Sequence, residues 1–190
     1  MSEAAAQPPT EPPPRATRRE PSLVLVNTGD GKGKSTAAFG TMIRAIARGW
    51  KVAVIQFLKS GEWSVGEEKV AGDLGVNWHA IGDGFTWDSA DMTESEAIAR
   101  QAWNKAAETI AGGEFALVIL DEITYPMNWG WISTAEVVDT IRDRPDNVNV
   151  ICTGRDAPAP LIDIAHTVTE MRNVKHAYDQ GIMARRGIDY

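Results

Sequence analysis

The sequence predicts one α/β domain built on a mainly parallel sheet with helices on both faces. Two observations lead there. From Ser22 onward, short β-branched apolar runs alternate with longer segments whose apolar residues recur at helical spacing. Such alternation makes βαβ units, whose strands run parallel and are covered by their own crossover helices. A glycine-rich turn also joins the first strand to the first helix, at the carboxyl edge of the sheet, where ligands of this architecture bind.

The elements follow in order. Residues 1–21 are a Pro/Ala-rich tail, holding Pro8, Pro9, Pro12, Pro13 and Pro14 and no apolar periodicity. Such a stretch buries too little surface to offset its ordering entropy and is expected to be disordered. Residues 22–190 form the domain. Leu23–Val26 is the first strand. Lys34–Arg48 carries Phe39, Met42, Ile43 and Ile46 at helical spacing, with Gly49 placed to end the helix. Val52–Phe57 and Val76–Ile81 are the second and third strands. Thr93 with Glu96 reads as a capping box opening a helix that aligns Ile98, Ala102, Ala106 and Ile110. Phe115–Leu120 is a buried strand. Ser133 with Glu136 opens another helix, which stops near Pro145, and Val148–Cys152 and Thr167–Met171 are further strands.

Composition narrows the function. The chain has 190 residues, enough to bury roughly 70% of its unfolded surface without disulfide or metal staples. Nineteen basic against 26 acidic residues leave a net charge of −7, which disfavours nucleic acid as a partner. No run approaches the ~20 apolar residues of a membrane span. No apolar segment follows Met1 as in a signal peptide. The single cysteine, Cys152, excludes an intramolecular disulfide and fits a cytoplasmic location.

The turn reads Thr28-Gly29-Asp30-Gly31-Lys32-Gly33-Lys34-Ser35-Thr36. Glycines let successive backbone N–H groups converge on an anion, and the helix N-terminus adds its dipole. Lys34 supplies a point charge to phosphates, and the Ser35 hydroxyl is placed to hold Mg²⁺. The ordinary phosphate-loop pattern wants glycine at 28; this chain has Thr28, shifted glycines and a second lysine, Lys32. Downstream, Leu117–Leu120 ends in Asp121-Glu122, the way phosphate-loop proteins hold Mg²⁺ from the far side. Together these predict binding of a nucleoside triphosphate with magnesium.

Several uses of that nucleotide lack their signatures. No Asn-Lys-x-Asp base-reading motif stands on a loop, and no arginine-rich lid segment marks a nucleotide kinase. Hydrolysis remains open, though no residue announces itself as the water-positioning group. The loop Gly82-Asp83-Gly84-Phe85-Thr86-Trp87 follows the third strand to the same edge. Phe85 and Trp87 either cover the core or face a flat apolar ligand. Trp129 and Trp131 lie at that edge too, where their spacing equally suits a packed segment. His79, His166 and His176 share no metal-ligand spacing. Arg155, in the Thr153-Gly154-Arg155 turn, either reaches phosphate or ribose or is solvated.

The phosphate loop through Gly40, Gly84-Phe85-Thr86-Trp87, Leu120-Asp121-Glu122, Thr153-Gly154-Arg155, Val174-Lys175-His176-Ala177 and the ending Gly187-Ile188-Asp189-Tyr190 together resemble the P-loop type of ATP:corrinoid adenosyltransferase. The resemblance runs from about Leu23 to Tyr190, with Asp30 and Ser35 as mild variants. It implies a P-loop NTPase (RecA-like) fold and transfer of the 5′-deoxyadenosyl group of ATP to the Co(I) centre of a corrinoid. Triphosphate would be released, as a step in adenosylcobalamin biosynthesis. Thr28 to Thr36 would hold ATP, with Lys32 and Lys34 at the triphosphate. Ser35, Glu122 and Asp121 would hold the metal, and Phe85 and Trp87 would lie beneath the corrin in place of its lower ligand. An electron donor such as a reduced flavoprotein and a homodimeric state are also implied. The alternatives are a P-loop small-molecule kinase or ATPase and a nucleotide-dependent switch.

Overall fold

The structure is a computed structural model and describes residues 16–58, 66–82 and 92–189. Six strands form one sheet: β1 (Val24–Thr28), β2 (Val52–Gln56), β3 (Asn77–Ala80), β4 (Leu117–Asp121), β5 (Asn149–Thr153) and β6 (Thr167–Glu170). Their order is β3-β2-β4-β5-β1-β6, and every pairing is parallel. β5 therefore stands between β1 and β4, the RecA-like arrangement. Each strand predicted from an apolar run is present; β1, β4 and β5 begin and end one or two residues further on, while β2, β3 and β6 lie within the predicted runs.

Period-two alternation along the central strands explains why both faces are covered. On β4, Leu117 and Ile119 join Phe39, Met42 and Ala45 of α1 (Lys34–Ile46) and Ala71 of α2 (Gly66–Asp73). Val118 and Leu120 point the other way. There they meet α3 (Met92–Ala111), α5 (Thr134–Arg142) and α6 (Ala159–Ile164) through Trp103, Ile110, Val137, Ile141 and Leu161. Burying each such aliphatic or aromatic side chain contributes about 1.5–3 kcal/mol. Trp103 is fully buried, and its indole N–H donates to Glu136 Oε1 at 2.7 Å. Glu136 Oε2 accepts from Arg100 at 2.6 Å, so one carboxylate ties α3 to α5.

The helix ends show how far local signals carry. α1 closes as predicted: the Gly49 N–H donates to Ile46 O and the Trp50 N–H to Ala45 O. Ser133 caps α5, its side chain accepting from the Glu136 N–H. α3 already includes Met92, so Thr93 lies within its first turn rather than ahead of it. Three short elements carry no signal in the sequence pattern: α2, α6 and α4 (Thr124–Asn128), the last holding a proline. Among the described residues after β6, the one further element is the 3-10 turn Tyr178–Gln180.

Candidate active site

The carboxyl ends of β1, β5 and β4 lie side by side, so the loops that follow them meet at one edge of the sheet. After β1 the chain turns through Gly29, at φ 92°, and Gly31. A β-carbon on Gly29 would stand 2.5 Å from Met171 O, and one on Gly31 would stand 2.7 Å from Arg172 O. The shifted glycines are thus explained: the segment leaving β6 passes directly against the loop. Its backbone bonds to the loop from both sides. The Met171 N–H donates to Thr28 O at 2.8 Å, and the Gly31 N–H donates to Met171 O at 2.6 Å.

Thr28, standing where the ordinary pattern has glycine, is nearly buried, and its hydroxyl accepts from the Ala157 N–H at 3.1 Å. It fastens the loop after β1 to the loop after β5. Asn27 Nδ2 donates to Lys34 O at 3.1 Å, holding the start of α1 against its strand. Ser35 and Thr36 occupy the first turn of α1, Ser35 half-buried and Thr36 exposed.

Both loop lysines are engaged by protein acceptors. The Lys34 ammonium donates to Gly29 O and Gly31 O, each at 2.7 Å. Burial, and next the charge of Arg155, push its pKa down from the usual lysine value, against the opposing pull of Asp30, Glu122 and Asp121. A polyanion placed on this loop would relieve that destabilisation. The Lys32 ammonium pairs with the Asp189 carboxylate. Exposed Asp30 lies 3.8 Å from the Arg155 guanidinium, so the acidic residue inside a phosphate loop has its charge balanced by the loop after β5.

The two carboxylates after the β4 apolar run differ sharply. Asp121 is fully buried, accepting from the Thr153 hydroxyl at 2.7 Å and from Gln56 Nε2 at 2.9 Å. Three adjacent strand ends are pinned by this one side chain. The Gln56 Oε1 beside it is buried without a hydrogen-bond partner. Glu122 is half-buried at φ 65°, a left-handed backbone that non-glycine residues seldom adopt. Its N–H donates to the Thr153 hydroxyl at 2.9 Å. Strain of this kind is found where a side chain must be aimed.

Gly154 makes the Thr153-Gly154-Arg155 turn possible. Its φ is 140°, and a β-carbon there would collide with the Thr124 hydroxyl. That hydroxyl instead donates to Arg155 O at 2.5 Å, and Asn128 Nδ2 donates to Asp156 O at 3.0 Å. Tyr125 of α4 and, beyond the helix, Trp129 and Trp131 stack in a tilted row with ring centroids 5.6 and 4.7 Å apart. Trp131 is buried while Trp129, the middle ring, is 39% exposed, so the row is packed at its Trp131 end and open at its centre. Phe85 and Trp87 lie outside the described residues. So does Trp63.

The structure thus brings Thr28–Thr36, Asp121, Glu122 and Arg155 to one edge. Thr153 and Asp189 stand in the quoted motifs without a role of their own, and Gln56 is not singled out by the sequence pattern. A polar residue closing the apolar run Val52–Ile55 was the available sign for Gln56. No sequence signal pairs Asp189 with Lys32, 157 positions away.

A family model described as ATP:corrinoid adenosyltransferase BtuR/CobO/CobP matches residues 20–190. The chain belongs to that family. The corrinoid adenosyltransferase of Escherichia coli K12 is 42% identical over 171 residues, covering 90% of this chain and 87% of the relative. Corrinoid adenosyltransferase CobA of Salmonella typhimurium LT2 is 39% identical, covering 91% and 88%. The solved structure of flagellar accessory protein FlaH from Methanocaldococcus jannaschii aligns at TM-score 0.49 and 13% identity, covering 80% of this chain and 71% of that one. In this adenosyltransferase, no described helix is long and apolar enough to cross a membrane.

Proposed function

We propose that the chain transfers the 5′-deoxyadenosyl group of ATP to the Co(I) of a corrinoid, a step of adenosylcobalamin biosynthesis. Membership of the adenosyltransferase family across residues 20–190 carries this reading. Co(I) is a strong nucleophile. Its electron pair forms the Co–C5′ bond while the C5′–O bond breaks, and the pair in that bond departs on triphosphate as cobalt becomes Co(III). The protein therefore has two tasks: to stabilise a highly charged leaving group and to hold C5′ in line with cobalt.

The first task falls to the phosphate loop. On binding ATP, Lys34 exchanges the Gly29 and Gly31 carbonyls for phosphate oxygens, and Lys32 adds the second charge. Arg155, already balancing Asp30, is positioned to join them. The donors present for magnesium are hard oxygens, with a hydroxyl at Ser35 and a carboxylate at Glu122. That set fits an ion held chiefly by substrate phosphates and one or two protein ligands. Asp121, with both oxygens hydrogen-bonded, supports Glu122 from behind. Bound there, Mg²⁺ would neutralise charge developing on the triphosphate. For the second task, the resemblance implies that Phe85 and Trp87 would supply an apolar floor beneath the corrin.

Reduction of Co(II) to Co(I) takes up one electron, for which the resemblance implies an external donor such as a reduced flavoprotein. A homodimer in the cytoplasm, without nucleic acid or membrane as partner, completes the proposal.

The test is product analysis with ATP, Mg²⁺ and a chemically reduced corrinoid. Triphosphate and a light-sensitive adenosylcorrinoid in equal amounts are expected. ADP with no photolabile product would overturn the reading in favour of a kinase or ATPase. The Lys34→Ala variant should weaken ATP binding by about 10- to 150-fold, the size of a charge-assisted contact.

A further inference from the structure

Two of the groups with which the phosphate loop would meet an anion are engaged by the chain's own carboxyl-terminal segment. The Gly31 N–H is donated to Met171 O, and the Lys32 ammonium is paired with the Asp189 carboxylate. Asp189 is itself held in place: its Oδ2 accepts from the Arg185 N–H at 2.8 Å, and its own N–H donates to Arg185 O at 2.8 Å. The adjoining Gly187 and Ile188 line a groove of about 330 Å³ with Phe39, Met42 and Ile43 of α1 and Val70 of α2. Ile188 nevertheless stays 80% exposed, so little apolar burial secures the segment. The turn is therefore anchored to the domain at one point by charge, and that charge belongs to the nucleotide site.

We propose that Asp189 is the internal counter-ion of Lys32, occupying its ammonium in the empty site and surrendering it to triphosphate, so that nucleotide entry and release of the 185–189 turn are one event. This inference rests on the phosphate-loop reading and adds a competing carboxylate to it. A carboxylate and a phosphate oxygen offer the same acceptor to an ammonium, and triphosphate carries far more charge, so the exchange favours the nucleotide. The carboxylate's cost to binding is then the strength of one exposed ion pair. Such a pair is worth about 1.5- to 5-fold in an equilibrium constant. Product triphosphate leaves by the reverse exchange, Asp189 returning to Lys32.

The experiment is a double-mutant cycle on the full chain, reading the dissociation constants of ATP and inorganic triphosphate by calorimetry, with melting temperatures measured in parallel. Asp189→Asn should tighten both ligands by about 1.5- to 5-fold with Lys32 present and leave them unchanged in the Lys32→Ala background. Asp189→Glu should restore the wild-type affinity. Hydrogen exchange at 185–189 should speed up when triphosphate is added to wild type. Weaker binding in Asp189→Asn, or the same change in both backgrounds, would overturn the proposal and leave the turn as a structural support. Lys34→Ala separates the two levels. If it leaves ATP affinity intact, the phosphate-loop reading fails; if it abolishes binding while the cycle shows no coupling, only the counter-ion proposal fails.

Discussion

Glu122 offers a perturbation that separates backbone strain from magnesium binding. Its backbone sits at φ 65° immediately after β4. Holding an L-residue there costs about 1–2 kcal/mol. Glycine adopts the same conformation without that cost but brings about 0.5–1 kcal/mol of extra unfolded-state entropy. Glu122→Gly should therefore range from unchanged to about 1.5 kcal/mol more stable than a reference that keeps the strain. That reference is Glu122→Ala, which loses the same carboxylate and whatever contacts it makes. The comparison isolates the backbone. For a chain of this length the glycine variant should melt about 0–6 °C above the alanine one, at roughly 2–4 °C per kcal/mol. Both should need more Mg²⁺ for adenosyl transfer than wild type. Thermal melts and magnesium titrations of product formation read the two effects separately. A glycine variant melting below the alanine variant would refute the strain argument. A wild-type magnesium titration in either variant would remove Glu122 from the metal site and transfer its role to Asp121.

Asp121→Ala should behave differently, because it strands the Thr153 hydroxyl and Gln56 Nε2 in a fully buried position. Each unsatisfied group costs about 1–3 kcal/mol, so urea unfolding should show a loss of roughly 2–6 kcal/mol; a loss under about 1 kcal/mol would mean these bonds carry little. The Glu136 carboxyl is opposed by burial but held below its usual range by hydrogen bonds from Arg100 and Trp103 and by the Arg100 charge. A depressed acid contributes stability above its unfolded pKa, about 4.3, and loses it as pH falls through the lower folded value. The melting temperatures of wild type and Glu136→Gln should therefore differ at pH 6 and converge as the pH falls through the lowered folded value; a constant difference would exclude this linkage. Burial pushes the Cys152 thiol up to about 12, so thiol reagents at pH 8 should modify the chain only at its unfolding rate, and rapid labelling of the folded chain would contradict its place in the core.

The sequence pattern reveals those parts of this molecule that rest on local physics. The run Leu117–Leu120 of β4 announces itself because a parallel strand buried on both faces reads as a near-continuous apolar run. α1 announces itself because a helix packed on a sheet repeats its apolar residues every three or four positions. The phosphate loop is legible because an anion site at a helix N-terminus needs glycines and a lysine within a few residues. Contacts between distant segments leave no such trace. Thr28 looks like a departure until Ala157, 129 positions on, donates to its hydroxyl. Asp30 looks misplaced until Arg155 stands beside it. Asp121 and Glu122 are neighbours of one chemical type, yet one is a buried knot of hydrogen bonds and the other a half-buried carboxylate on a left-handed backbone.

The strand order turns these distant pairings into one site. Because β5 separates β1 from β4, the Thr153-Gly154-Arg155 turn lies between the phosphate loop and the carboxylates in the strand order. Thr153 bonds to Asp121 and to the Glu122 N–H, the Gly154 N–H donates to Asn27 O, and Arg155 faces Asp30. One short turn thereby reads the positions of both halves. This supports a chemistry of placement: where the nucleophile is supplied by the substrate itself, the protein's contribution is the fixed distance between the groups holding triphosphate and those facing the acceptor. A displacement of the β5 turn should then disturb phosphate and metal binding together, although no residue of β5 itself carries either charge.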